Sequence, residues 1–303
     1  MNLPEKVQIV EVGPRDGFQN IKTFIETKYK LEIIDSLEEA GCNKIEITSF
    51  VNPKWIPQMI DSKEICEICV KKNERKYEVI VLCPNKKGVE NAVSSGAEVI
   101  SVVISVSEAH NKANVNRTVE ESFKELEEMV YKYPDIKFRL DLATVFGCPF
   151  GEEIKPERVS ELIERAKKIG VKEIMLADTV GLGNPVLVET ILKRVKEQVG
   201  TENIILHIHD TRGMGLANML VALQLGYSIF ETSIGGLGGC PFAPGAAGNV
   251  ATEDFVNMLN GMGINHNIHL EKLYNTLELL NQYVDVKLNN SHMYSVYKSK
   301  CSL

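Results

Sequence analysis

Short apolar runs and longer polar-rich segments alternate along the whole chain. The apolar runs are Val7–Val12, Lys44–Thr48, Glu78–Leu82, Val99–Ile104, Lys137–Ala143, Glu173–Ala177, Asn203–His207 and Ser228–Ser233. They are nearly continuous rather than strictly alternating, which marks parallel strands covered on both faces. Between them, helical spacing predicts helices over Thr27–Ala40, Ser62–Lys72, Lys87–Ser94, Thr118–Tyr131, Lys155–Ile169, Pro185–Val199 and Leu216–Leu225. Eight strands joined by segments long enough for crossover helices predict an α/β fold. The reading is a closed TIM-type (β/α)8 barrel rather than an open doubly wound sheet. EDFVNMLNGMG and HLEKLYNTLELLNQYV then read as the last barrel helix and a short C-terminal helical extension. No Pro/Ser/Gly-rich linker interrupts the alternation. Residues 1–303 are therefore expected to form one catalytic domain, with the barrel over about 5–260 and the helical segment over about 268–303.

Composition narrows the function. The 303 residues are 44% hydrophobic and 25% charged, with a net charge of -7, which disfavours a general binder of nucleic acid or anionic membrane. No apolar run approaches the roughly 18 residues of a membrane span. The N-terminal MNLPEKVQIV has no leader-like pattern, and a cytoplasmic protein is expected. Seven scattered cysteines suit reduced thiols rather than a disulfide framework. The Cys66/Cys69 pair reads as part of a packed helix face.

In such barrels chemistry collects at the C-terminal ends of the strands. Those ends carry Arg15 and Asp16 after the first strand, Glu46 in the second, Asp178 after the sixth, and His207, His209 and Asp210 at the seventh. His207 and His209 are two apart on a strand, so their imidazoles point to the same side. They can share a metal ion or simply hydrogen-bond at a strand end. Asp16 and the amide oxygen of Asn249 would complete a nitrogen/oxygen set. No thiolate belongs to that set, which favours a harder divalent ion such as Mg2+ or Mn2+, with zinc still open. Arg15 is either a surface ion pair or an inward cation that neutralises a carboxylate or enolate. Glu46 is read as its holder, and Asp178 as a partner of the loop backbone or of a ligand histidine. Asp210 is read as a loop cap. His110, His266, His269 and His292 are read as surface residues.

After the eighth strand comes GGLGGCPFAPGAAGN, with one thiol, Cys240, among small residues. It matches no nucleotide-binding glycine motif. A buried small hydrophobe fits a solvent-facing loop poorly. A thiol that donates a proton or attacks as a nucleophile fits it better.

Taken together, VGPRDGFQN, IEITSFVNPKWIPQM, FGCPF, DTVG, HIHDT and GLGGCPFAPGAAGNVATED resemble, in order and spacing, the 3-hydroxy-3-methylglutaryl-CoA lyase family. The resemblance runs from about residue 5 to 285. It implies a divalent-metal-dependent retro-Claisen cleavage giving acetyl-CoA and acetoacetate, as in leucine degradation and ketone body formation. It implies metal ligation by Asp16, His207, His209 and Asn249. Arg15 is implied to stabilise the enolate, His207 or Asp16 to act as base, Cys240 to be the catalytic thiol, and Glu46 and Asp178 to be active-site support. It also implies an acyl-CoA substrate and a homodimer. The alternatives are a related 3-hydroxyacyl-CoA lyase, or a condensing synthase of the isopropylmalate or citramalate type. Those synthases carry longer C-terminal extensions, and the early end of this chain favours the lyase. Asp141 stands where many members have Tyr, so an extra carboxylate bears on substrate choice. Asn114, Lys112 and Lys86 are the residues expected to meet the CoA phosphates.

Overall fold

The computed structural model describes residues 3–239, 248–284, 286, 288 and 291–301. Eight parallel strands close in chain order: β1 (Gln8–Glu11), β2 (Lys44–Ser49), β3 (Glu78–Leu82), β4 (Val99–Ser105), β5 (Lys137–Ala143), β6 (Glu173–Ala177), β7 (Ile204–His207) and β8 (Ile229–Thr232). β8 pairs back onto β1 over Gln8–Ile229 to Glu11–Thr232, so the sheet has no edge. This is the barrel that the alternation predicts. Around it lie α1 (Thr27–Glu39), α2 (Ser62–Lys71), α3 (Lys86–Ser94), α4 (Glu108–Val115), α5 (Val119–Lys132), α6 (Pro156–Lys168), α7 (Pro185–Val199), α8 (Gly215–Gln224) and α9 (Thr252–Met262). Two helices, α10 (Leu270–Tyr283) and α11 (His292–Cys301), follow the barrel.

The helix α4 was not expected. EAHNKANV has few apolar residues to mark a face, but Ser107 caps it by accepting the His110 N–H at 3.0 Å. The next helix starts from a full capping box between Thr118 and Glu121, and then buries Val119, Phe123, Leu126 and Met129 at helical spacing.

Outward strand residues such as Ile45, Val79, Ile100, Leu140 and Leu206 join the main apolar core with helix residues such as Ile33, Leu37, Phe123 and Ile163. The barrel interior is layered differently. At its base Lys44 and Lys137 meet Glu173 at 2.7 and 2.9 Å, tying the first residues of β2, β5 and β6 together. Above them sit apolar residues, among them Val10, Ile80, Val99, Ile205 and Ile229. A charged layer follows, with Glu46, Arg139, Asp141 and Glu231 all at most 1% exposed. Burying four charges in a barrel is tolerable only when they are paired, and the pairing leads directly to the mouth.

Candidate metal centre

The first strand delivers two of the expected residues through one wide turn. The N–H groups of Arg15, Asp16 and Gly17 all point at the Val12 carbonyl, at 3.1, 2.7 and 3.3 Å. That turn aims Arg15 and Asp16 into the barrel mouth, where both are buried. Arg15 Nη1 donates to Asp16 Oδ1 and Arg15 Nε to Glu46 Oε2, each at 2.5 Å. Glu46 thus holds Arg15, and Arg15 is inward rather than on the surface.

From the other side, β7 presents His207 and His209, with their Nε2 atoms 3.0 Å apart. The segment at 248–250 returns against the end of β7. Asp210 N–H donates to the Gly248 carbonyl at 2.9 Å, and His209 bridges Asn249 in antiparallel register. Asn249 Nδ2 donates to Asp16 Oδ2 at 2.6 Å and to the Leu237 carbonyl at 2.9 Å. One ligand atom each from Asp16, His207 and His209 lies within 4.8 Å of the others, the one such group among the described residues. Asn249 sits beside this group, but its nitrogen, not its oxygen, faces Asp16.

Three features of these residues fit a divalent cation. The donor set is one carboxylate and two imidazoles. His207 Nδ1 is bonded to the Glu231 carboxylate at 2.8 Å, so Nδ1 carries the proton and Nε2 keeps its lone pair. His209 Nε2 stands 3.0 Å from His207 Nε2, with no hydrogen-bond partner for His209 Nδ1 among the described residues, so two imidazole nitrogens converge on one point that a cation can occupy in place of a proton. Charge balance points the same way. If all four carboxylates of Asp16, Glu46, Asp141 and Glu231 ionise, they exceed Arg15 and Arg139 by two negative charges beside the two imidazoles, an excess that a divalent ion offsets. Burial pushes Glu46 up to about 7 despite Arg15 beside it, and raises Asp141 as well. Burial opposes ionisation of Asp16 too, but Arg15, His207, His209 and Asn249 together hold it below the usual carboxylate range. Burial and the neighbouring His207 bring His209 down to about 3.

The remaining residues divide between roles the sequence reading allowed and roles it did not. Asp178 accepts backbone N–H bonds from Leu182 and Gly183 at 2.9 and 3.1 Å, so it pins its own loop rather than a ligand histidine. Arg212 holds the same loop by the Val180 and Gly181 carbonyls at 2.8 and 2.7 Å. Asp210 caps α8 through Gly215 N–H at 2.6 Å. His110 is not on the surface. It is 3% exposed, bonded to Ser105 Oγ at 2.7 Å, and lines the mouth. Cys240 lies outside the described residues.

The sequence reading missed Arg139 and Glu231. Arg139 Nε donates to Asp141 Oδ1 at 2.8 Å, and Arg139 Nη2 bonds Glu231 Oε1. The signal was in KFRLDLA: charges two apart on a strand whose outer face is apolar must both point inward. Gln19, bonded to Asp16 Oδ1 at 2.7 Å, was missed as well.

Above these groups opens a cavity of about 980 Å³ lined by Arg15, Asp16, Asp141, His207 and His209 at the floor. Trp55, Asn85, Asn114, Asn116 and Arg117 contribute to its walls and rim. Asn114 thus lies at the cavity that a CoA would enter. Lys112 and Lys86 do not line the cavity, and Lys86 lies 3.8 Å from Glu128 on the surface.

The chain is similar to known proteins over nearly its whole length. A mitochondrial hydroxymethylglutaryl-CoA lyase of Macaca fascicularis is 43% identical, over 99% of this chain and 91% of its own. A hydroxymethylglutaryl-CoA lyase of Bacillus subtilis is 42% identical over 99% of this chain and all of its own. The solved structure of an HMG-CoA lyase from Acinetobacter baumannii, in complex with coenzyme A and 3-methylmalate, superimposes with a TM-score of 0.87. It is 38% identical over 95% of each chain. The HMGL-like family model matches residues 6–280, which hold the whole barrel and every candidate ligand named above, and the chain belongs to the HMGL-like family.

Proposed function

We propose that this chain is a hydroxymethylglutaryl-CoA lyase: it cleaves 3-hydroxy-3-methylglutaryl-CoA to acetyl-CoA and acetoacetate, and depends on a divalent metal, Mg2+ or Mn2+. The observation that carries this reading is the buried Asp16–His207–His209 group beside Arg15, on the floor of a cavity roomy enough for an acyl-CoA. Full-length relatives named for this activity support it.

The reaction needs a proton removed from the tertiary hydroxyl. The electrons of the O–H bond then form the ketone, the C–C bond breaks, and its electron pair becomes a thioester enolate that must be protonated. Asp16, His207 and His209 would hold the cation, with Asn249 buttressing Asp16. When bound, the cation supplies positive charge that lowers the hydroxyl pKa and neutralises carboxylate charge. Of the two candidate bases, Asp16 is the one the geometry leaves: His207 Nδ1 carries the proton donated to Glu231 and its Nε2 would face the cation, whereas the Asp16 carboxylate has two oxygens, each with two lone pairs. Arg15 is fixed by Nε and Nη1, while its Nη2 makes no hydrogen bond among the described residues. Arg15 therefore has donors left for an enolate oxygen, preorganised in a water-poor site. Cys240, on the resemblance alone, is assigned the delivery of the proton to carbon. Asp141 lines the cavity floor, and Glu46 and Asp178 hold the scaffold.

Mass-spectrometric product analysis tests this directly. Protein with Mg2+ and 3-hydroxy-3-methylglutaryl-CoA is expected to yield equal acetyl-CoA and acetoacetate. No acetoacetate there, with free CoA released from acetyl-CoA plus a 2-oxo acid, would replace the lyase by a condensing synthase. The same reading places the chain in the cytoplasm as a homodimer serving leucine degradation. Sedimentation at 33.8 kDa would remove the dimer from it.

A further inference from the structure

Beneath the proposed metal ligands runs a buried chain of alternating charge: Asp141, Arg139, Glu231, His207. It crosses the barrel from β5 to β8 to β7, and all four residues are at most 5% exposed. Glu231 has two oxygens and two partners. Oε1 is taken by Arg139 Nη2, and Oε2 accepts from His207 Nδ1 at 2.8 Å. Glu231 is ion-paired through Oε1 with Arg139, which has no proton to give up, so the carboxylate is charged and acceptor-only.

We propose that Glu231 is a positioning residue that locks His207 in the Nδ1–H tautomer, and that Arg139 makes this lock one-way. Because Arg139 only donates, the oxygen facing it must accept. Because Glu231 is ionised, the oxygen facing His207 must accept as well. Only one imidazole tautomer satisfies both, and it is the one that leaves Nε2 bare toward Asp16 and His209. Sequence reading offered Asp178 either this role or a bond to the loop backbone, and the structure shows the loop bond.

The argument makes an unusual demand of Glu231→Gln. Arg139 takes the amide oxygen, so the amide N–H2 is turned onto His207 Nδ1. His207 must then carry its proton on Nε2, toward the metal position. The tautomer is inverted without loss of a side chain. This rests on the metal-centre reading of the site, but two of its readouts need no lyase activity. Long-range 1H–15N spectra of metal-free protein are expected to show His207 as Nδ1–H in the wild type and as Nε2–H in Glu231→Gln. Titration with Mn2+ alone, followed by the EPR signal of the free ion, is expected to show affinity about 10- to 100-fold weaker in Glu231→Gln. Glu231→Asp, which can only accept, is expected to keep the Nδ1–H tautomer and to bind Mn2+ more tightly than Glu231→Gln. A folded Glu231→Gln with the wild-type tautomer and wild-type Mn2+ affinity overturns the proposal. Should that variant not fold, a folded Glu231→Asp with His207 in the Nε2–H tautomer overturns it equally. If tautomer and Mn2+ affinity shift as expected while 3-hydroxy-3-methylglutaryl-CoA is not cleaved, the substrate reading fails and the positioning role stands.

Discussion

Gly238→Ala probes the mouth with a single methyl group. Gly238 has φ +110°, where a side chain is strained, at a cost of about 1–3 kcal/mol. A Cβ built there would also stand 2.8 Å from Asp16 Oδ2 and closer still to Asn249 Nδ2. Ordinary contacts are about 3.5 Å, so Asp16, Asn249 or both must shift by roughly half an ångström or more. Misplacements on the order of 1 Å at a reacting centre cost about 10²-fold in rate. The expected outcome is a folded protein that is less stable by about 1–3 kcal/mol. Its kcat/KM should fall about 10²-fold, with at least a tenfold loss in Mn2+ affinity. Gly213→Ala separates strain from collision: φ is +70°, but nothing lies within 4 Å of the added methyl. It should show a backbone cost of similar order and keep full activity. Urea melts, Mn2+ titration and a coupled acetoacetate assay on both variants decide the matter. If Gly238→Ala retains Mn2+ affinity and turnover within threefold, the Asn249–Asp16 contact does not orient the centre as argued.

Arg15→Lys keeps the charge but loses the planar fork that reaches Glu46 and Asp16 together. Its kcat should fall about 10²–10³-fold, and Mn2+ affinity should change far less, as steady-state kinetics and titration would show. Arg15→Met, which leaves Glu46 buried and unpaired, should destabilise by about 3–5 kcal/mol in urea melts. Glu11 gives a pH test. Burial raises it from 4.5 to about 7, although Gly13 N–H, Ile234 N–H and Thr252 Oγ1 donate to it. A folded pKa above the unfolded one means the native state holds more protons between those values. Its contribution is full below pH 4.5 and is lost as pH rises through 7, by up to about 3 kcal/mol. Glu11→Gln removes this slope, so the stability of wild type relative to the variant should decline from pH 4.5 to 7. A constant difference would show that Glu11 stays ionised.

Much of this was legible beforehand because two periodicities carry it. Near-continuous apolar runs spaced by amphipathic segments leave little choice but a barrel, and the barrel rule puts Arg15, Asp16, His207 and His209 at one mouth. Side-chain partners were harder to read. Asp178 bonds its own loop because the chain brings the Leu182 and Gly183 N–H groups back to its carboxylate, a matter of loop path rather than of residue type. His110 looked like a surface residue because the short helix that buries it has no strong apolar face. Arg139 and Glu231 went unnoticed although KFRLDLA and IFETS place charges on inward positions, because an interior charge draws attention only once its partner is known. That partner sits 92 residues away on another strand.

The central claim is that Asp16, His207 and His209 hold the divalent ion on which cleavage depends. The direct measurement is Mn2+ occupancy and acetoacetate formation on the same chelator-stripped sample, titrated with Mn2+, for wild type and His209→Ala. The account predicts an inactive stripped protein, activity that rises in proportion to one bound Mn2+, and a His209→Ala titration displaced to much higher Mn2+. Full turnover in the stripped protein with excess chelator, or an unchanged Mn2+ affinity in His209→Ala, would contradict it.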